Sequence, residues 1–299
     1  MSSLLAPIEP AFAETAAFMD ATLDALLPKP HGSEARLLEA MRYATMGGGK
    51  RLRAFFVMQS GRLFGVDRRP LGRVAAAVEC LHAYSLIHDD LPAMDNDDMR
   101  RGRPTVHKAY DEATAILAGD ALLTLAFTLI ASPEAHGDPY VRCELAARLG
   151  QAAGHAGMVG GQMIDLASEG EELPLPEITR LQRLKTAVLI TFCCEAGAIM
   201  GKSSATARQA LTNYGQEVGL AYQIADDLLD VEGSAAATGK GVGKDAVRGK
   251  ATVVASLGVE RARAHAEALA RQAALHLDLF DEKADLLRAA AQFAVMRKA

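Results

Sequence analysis

The chain has no tryptophan, and aromatic residues make up only 5% of it. Val, Ile and Thr are outnumbered by Ala and Leu, and 11 prolines are spread over 299 residues. A sheet protein needs β-branched and aromatic side chains, so this composition favours helices instead. There is no excess of basic charge either: 32 basic residues face 37 acidic ones, a net charge of −5. That excludes the electrostatic footprint of a nucleic-acid binder. The four cysteines, Cys80, Cys143, Cys193 and Cys194, form no CxxC or Cys/His spacing. Structural zinc and a disulfide framework are thereby excluded, and the adjacent Cys193 and Cys194 read as small buried hydrophobes. The start, MSSLLAPIEPAF, lacks the charged n-region of a signal peptide. Apolar runs such as Ala121 to Ala131 fall short of the about 20 residues a bilayer needs. Asp120 and Glu195 interrupt the two longest. A soluble cytoplasmic protein is the expectation.

Half the chain is apolar, far too much for a disordered polymer. Apolar residues recur at three- and four-residue spacing almost everywhere, with no convincing strand alternation. Helices are expected over Ala11–Leu27, Ser33–Met46, Leu71–Asp90, Asp111–Ala131, Tyr140–Gly154, Pro176–Met200, Ala205–Asp230 and from Val259 to the end. Breaks between them, such as PKPHGS and SPEAHGDP, are short, as within a helical assembly rather than between domains. One all-α domain covering 1–299 is the expected architecture.

Two acidic clusters stand out against this background. LIHDDLPAMD carries Asp89, Asp90 and Asp95, and QIADDLLD carries Asp226, Asp227 and Asp230; each ends a helix-like stretch. Asp226 and Asp230 are i and i+4, so a helix sets them on one face about 5–6 Å apart. Asp227 lies about 100° around the axis. Like charges at that spacing weaken a helix, which a divalent cation would offset. Pro92 biases Leu91 out of helical geometry, so the first cluster belongs at a helix tip. Oxygen-only ligands suit Mg²⁺, which binds through one or two carboxylates plus substrate phosphates. No glutamate closes an EF-hand loop, so calcium sensing fits poorly.

Cations accompany the acids. GGGKRLR spans Gly47 to Arg53. It is not a P-loop, because Arg51 follows the lysine and Ala44 stands at the first glycine position. Exposed backbone N–H groups beside Lys50 and Arg53 still suit a diphosphate. Arg100, Arg101 and Arg103 follow the first acidic cluster, and TGKGVGKDAVRGK supplies four glycines and three lysines after the second. That segment reads as a basic lid over a phosphorylated ligand. No GxSxG and no GxGxxG is present, so a serine hydrolase and a dinucleotide fold lack support.

With HAYSLIHDDLPAMDNDDMRRGRPT, GGQMID and LKT added to these segments, the chain resembles the trans-isoprenyl diphosphate synthases, bacterial farnesyl diphosphate synthases most of all. The likeness runs from about Glu34 to the C-terminus and keeps the family's motif order. It implies a single large helical bundle of the isoprenoid synthase type with a central cavity. It also implies that Asp89, Asp90, Asp95, Asp226 and Asp230 serve about three Mg²⁺ ions, which neutralise charge on a leaving diphosphate, with Asp227 completing the second motif. By the same resemblance Arg100, Lys185 and Lys240 bind the allylic diphosphate. Gly49, Lys50, Arg53, His82 and Arg101 bind isopentenyl diphosphate, and Lys250 matches a second lid lysine. Thr186 and Gln223 face the developing allylic cation. Tyr84, five residues before Asp89, matches a position where a bulky ring stops elongation near fifteen carbons. Lys244, and the Gly161, Gln162 and Asp165 of GGQMID, receive no role. Ala54 departs from the proline usual after that basic motif. The expected partners are therefore isopentenyl and allylic diphosphates, with a second copy of the chain in a homodimer.

Four other readings compete, of which a squalene-synthase-like enzyme would need a different pair of acidic motifs. A geranylgeranyl diphosphate synthase differs only in product length. A class I terpene cyclase would carry an NSE-type second motif and many more aromatics. A non-catalytic regulatory subunit usually loses an acidic motif, and both are intact here.

Overall fold

The computed structural model describes residues 8–232 and 251–296. Lys240, Lys244 and Lys250 of the expected lid lie outside the described residues. Among those residues the fold is helical apart from one two-stranded hairpin. The helices are α1 (Ile8–Leu26), α2 (Ala35–Thr45), α3 (Leu52–Arg62), α4 (Arg68–Asp89), α5 (Val106–Ala109), α6 (Glu112–Ala131) and α7 (Pro139–Ala153). They continue as α8 (Met158–Ala167), α9 (Leu175–Gln182), α10 (Val188–Met200), α11 (Ala205–Glu232), α12 (Val253–Leu257), α13 (Val259–Leu275) and α14 (Asp285–Met296). The hairpin strands are β1 (Met99–Arg100) and β2 (Arg103–Pro104).

The residues group into two compact units. The first is Glu9–Met58 with Asp67–Ala146; the second is Gln59–Val66 with the described residues from Ala147 onward. In the first unit α4 packs against α6 and α2. Leu71, Val74–Val78, Cys80 and Leu81 are inaccessible around nearly the whole circumference of α4, as expected of a central helix. Gly72 lets α1 come close: a Cβ there would lie 2.8 Å from the Phe18 ring.

The second unit is built on α10, buried along its length from Leu189 to Met200. It packs against α11, which in turn packs against α13 and α14. One carboxylate sits inside α10. Glu195 is satisfied by a two-pronged bond from Arg148 and a 2.8 Å bond from Arg208, which explains how an acid interrupts so apolar a run. Cys193 and Cys194 are buried as expected; Cys80 is buried too, and burial pushes its thiol up to about 12.

Several elements differ from expectation, among them α5, α12, the hairpin, and the break between α13 and α14 in the helix expected from Val259 onward. α3 was not expected, because LRAFFVMQSGR is buried on nearly every side and so carries no helical period. α8 was hidden by its glycines. The expected helix over Pro176–Met200 exists, but Arg183–Ala187 forms a π-helical turn within it. α6 is also longer than the apolar run that marks it, and by length and composition it could cross a membrane. One face of α6 nevertheless packs in the first unit through Ala115, Ala118, Leu122, Ala126 and Ile130.

Candidate active site

In the first unit the chain turns back on itself after α4. The Asp95 N–H donates to the Asp89 carbonyl at 2.7 Å, and the Asp97 N–H donates to the Asp90 carbonyl at 3.2 Å. Pro92 does break the helix, and this fold-back returns the third aspartate of the motif to the first. Asp89 and Asp95 are partly exposed, whereas Asp90 is buried. Both Asp90 oxygens accept from Arg100: Nη2 and Nε donate to Oδ1 at 2.6 and 2.8 Å, and Nε also reaches Oδ2 at 2.9 Å. The sequence reading had Asp90 on metal and Arg100 on diphosphate; the structure joins them to each other. Burial alone would lower the Arg100 pKa, and the Asp90 contact more than offsets it, so the guanidinium stays charged.

The hairpin places the next arginine. Met99 pairs with Pro104 and Arg100 with Arg103, leaving a two-residue turn at Arg101 and Gly102. Both turn residues have positive φ, 52° and 73°, the type I′ pattern. Arg101 lies against the GGG loop and donates to the Gly48 carbonyl. Gly49 has φ of 117°, and a Cβ there would stand 2.7 Å from the Arg101 guanidinium. Only glycine meets both demands. Lys50 and Gly49 are exposed, and Arg53 is half-buried on the first turn of α3.

His82, half-buried on α4, reports this crowd electrostatically. Its pKa is held well below the usual value, first by burial and then by Arg53, Arg101, Arg100 and Arg51. So many cations around one neutral imidazole is an arrangement that a diphosphate would relieve. A small open pocket in the same unit is lined by Tyr43, Gly47, Ala83, Asp90, Arg100 and Arg101 among others.

Two residues beneath the loop escaped sequence reasoning. Arg51 is buried with φ of 48°. It donates to Glu79 at 3.1 Å, to Asp20 at 2.8 Å and to the Thr45 carbonyl at 2.8 Å. This network anchors the loop that carries Gly49, Lys50 and Arg53. The available signal was Glu79 itself, a lone acid in the apolar run of α4.

In the second unit Asp226 is exposed on α11, Asp230 is half-buried and Asp227 is buried. The helical phase separates them as expected. Asp227 accepts from Gln223 at 2.8 Å and from Gln182 at 2.7 Å, and the Thr186 hydroxyl donates to Gln223 at 2.7 Å. Thr186 and Gln223 are thus joined, with Asp227 as the buried anchor of Gln223. Lys185 donates to Asp165 at 2.6 Å. Both amide atoms of Gln162 are buried and make no hydrogen bond among the described residues.

Among the described residues, no three His, Cys, Asp or Glu side chains form a ready metal cage. Magnesium does not require one, since it usually takes one or two carboxylates and completes its shell with water and phosphate. The partly exposed Asp89, Asp95, Asp226 and Asp230 fit that chemistry.

A helical fold whose first unit sets the Asp89–Asp95 motif beside clustered arginines is that of an all-α enzyme of the isoprenoid synthase type. The chain belongs to the polyprenyl synthetase family, whose profile matches residues 34–289. It is 46% identical over 268 residues to the farnesyl diphosphate synthase of Escherichia coli, covering 87% of this chain and 89% of that one. A crystal structure of an FPP/GFPP synthase from Zymomonas mobilis is similar with a TM-score of 0.88 and 49% identity, covering 96% and 98% of the two chains. A geranyltransferase of Helicobacter pylori, solved with magnesium and isoprenyl diphosphate, is similar with a TM-score of 0.84 at 31% identity over 98% of this chain and 97% of that one.

Proposed function

We propose that this protein is a Mg²⁺-dependent prenyltransferase that condenses isopentenyl diphosphate, head to tail, with dimethylallyl and then geranyl diphosphate. The products are (2E,6E)-farnesyl diphosphate and inorganic diphosphate. The observation that carries this reading is the gathering of Arg51, Arg53, Arg100 and Arg101 around an uncharged His82, on the unit that bears Asp89 and Asp95.

The residues then divide as follows. Asp89 and Asp95 on one motif, and Asp226 and Asp230 on the other, are the carboxylates that hold magnesium, while Asp90 serves them by carrying Arg100. When bound, the metal supplies Lewis-acid stabilisation of the leaving diphosphate. Arg100, Lys185 and Lys240 hold the allylic diphosphate, and Gly49, Lys50, Arg53, His82 and Arg101 hold isopentenyl diphosphate, with Lys250 closing behind. As the allylic C1–O bond breaks, positive charge grows on the allyl group, which Thr186 and Gln223 face with their oxygens. The isopentenyl double bond attacks C1, and the released diphosphate takes the proton lost as the new double bond forms. This scheme uses no protein nucleophile, so catalysis is preorganised electrostatics. We read 1–299 as one functional domain, since the family match crosses both units. The enzyme acts in the cytoplasm as a homodimer.

The test is product analysis with isopentenyl diphosphate and each of dimethylallyl, geranyl and farnesyl diphosphate. Farnesyl diphosphate from the first two, with diphosphate release abolished by chelator, is the expected result. Accumulation of a twenty-carbon product would replace the length assignment, and no turnover with any starter would overturn the enzyme.

A further inference from the structure

Asp165, in the GGQMID segment that the sequence left without a role, lies on α8 with its side chain buried. Its Oδ2 accepts from the Lys185 ammonium at 2.6 Å, and that lysine side chain is a quarter exposed. Lys185 belongs to the π-helical turn Arg183–Ala187, an uncommon element that concentrates at functional sites.

The turn is packed from two sides by glycines. At Gly161, one helical turn before Asp165, a Cβ would fall 2.3 Å from the Lys185 nitrogen and 2.7 Å from its Cα. At Gly219 on α11, a Cβ would fall 2.6 Å from the Ala187 Cα. Backbone therefore meets backbone on both faces of the turn. That closeness is what lets a carboxylate as short as aspartate reach the end of a lysine side chain.

We propose that Asp165 is a positioning residue for the condensation: it holds the Lys185 ammonium against α8, oriented to meet the allylic diphosphate. The proposal rests on the reading of Lys185 as an allylic-diphosphate ligand. An ammonium has three N–H donors; one goes to Asp165 and the others serve a phosphate. A lysine has a long, flexible stem, and anchoring it before the substrate arrives removes an ordering cost from binding. Asp165 acts through Lys185 and touches no reacting atom.

The experiment is a double-mutant cycle on full-length enzyme, reading KM for geranyl diphosphate, KM for isopentenyl diphosphate, and kcat. Asp165→Asn keeps the size of the side chain and removes its charge. It is expected to raise KM for geranyl diphosphate by about tenfold, the scale of one charge-assisted contact. KM for isopentenyl diphosphate should stay within about twofold. Lys185→Ala should raise the same allylic KM at least as much, and Lys185→Ala combined with Asp165→Asn should be no worse than Lys185→Ala alone. An unchanged allylic KM in Asp165→Asn, beside a large rise in Lys185→Ala, overturns the positioning role and leaves the lysine reading intact. Additive losses in the double variant overturn it as well. An unchanged allylic KM in Lys185→Ala removes the lysine reading on which the proposal stands.

Discussion

A proline at position 54 would have no N–H to offer Glu79. In this chain Ala54 donates to the Glu79 Oε1 at 3.2 Å, while Arg51 donates to the other oxygen of the same carboxylate. The departure from the family's usual proline thus gives a buried acid one more donor and ties the first turn of α3 to α4. The site residues above this anchor make two predictions. If the partly exposed aspartates hold magnesium, Asp89→Ala and Asp226→Ala should each remove most turnover while leaving the far-ultraviolet circular dichroism unchanged. Near-normal rates in both would dismiss the assignment. The second concerns His82, whose folded pKa lies well below 6.5. As pH falls below that value the unfolded chain takes up a proton that the folded chain refuses, so stability declines on acidification. The melting temperature of substrate-free enzyme should fall between pH 7 and pH 5, and His82→Gln should make that slope shallower. Added isopentenyl diphosphate should also flatten it, because an anion among the arginines favours the imidazolium.

At the scale of single elements, the contact of α4 with α6 bears on the proposed control of product length. Tyr84 is buried on α4 and stacks edge-on with His88 at 5.2 Å. His88 fits only because α6 offers Gly119, where a Cβ would collide at 2.2 Å. The ring is thus braced by a histidine that is itself seated against α6, as a fixed floor to a growing chain would have to be. Tyr84→Ala should therefore shift products from fifteen carbons toward twenty or more, read by chromatography of the dephosphorylated alcohols. A variant that still stops at fifteen would move the floor elsewhere. The start of α6 carries another test. Asp111 caps the helix by accepting from the Thr114 N–H at 2.7 Å, and Arg36 adds an ion pair. These contacts, the backbone bond first, hold its carboxyl down at about 2. The stabilisation is present above the ordinary aspartate range and is lost as pH falls toward that value. Asp111→Ala should consequently lower the melting temperature at pH 7, with the difference from wild type shrinking below about pH 4.

For the whole molecule the outer face of α6 makes the prediction. Ile116 and Leu117 are exposed there at 45% and 57%, on a helix whose other face is already buried. If the proposed homodimer packs on this pair, Leu117→Glu should convert a dimer into a monomer in sedimentation velocity. A wild-type monomer at micromolar concentration would dismiss the homodimer.

Much of this protein could be read from residue order. Helical periodicity, the two acidic motifs, the basic loop and the buried cysteines are local patterns, set by neighbours within a few turns of chain. The phase of Asp226, Asp227 and Asp230 followed from 3.6 residues per turn alone. What the tertiary structure decided was partnership. Which oxygens Asp90 gives to Arg100 depends on a fold-back and a hairpin, while how Glu79 and Arg51 anchor a loop and why Asp165 takes Lys185 depend on contacts between separate helices and turns. The π turn and the buried α3 were invisible for the same reason. Glycine backbone meets the turn on two sides and α3 is buried on nearly every side, so neither segment carries a periodic mark of its own.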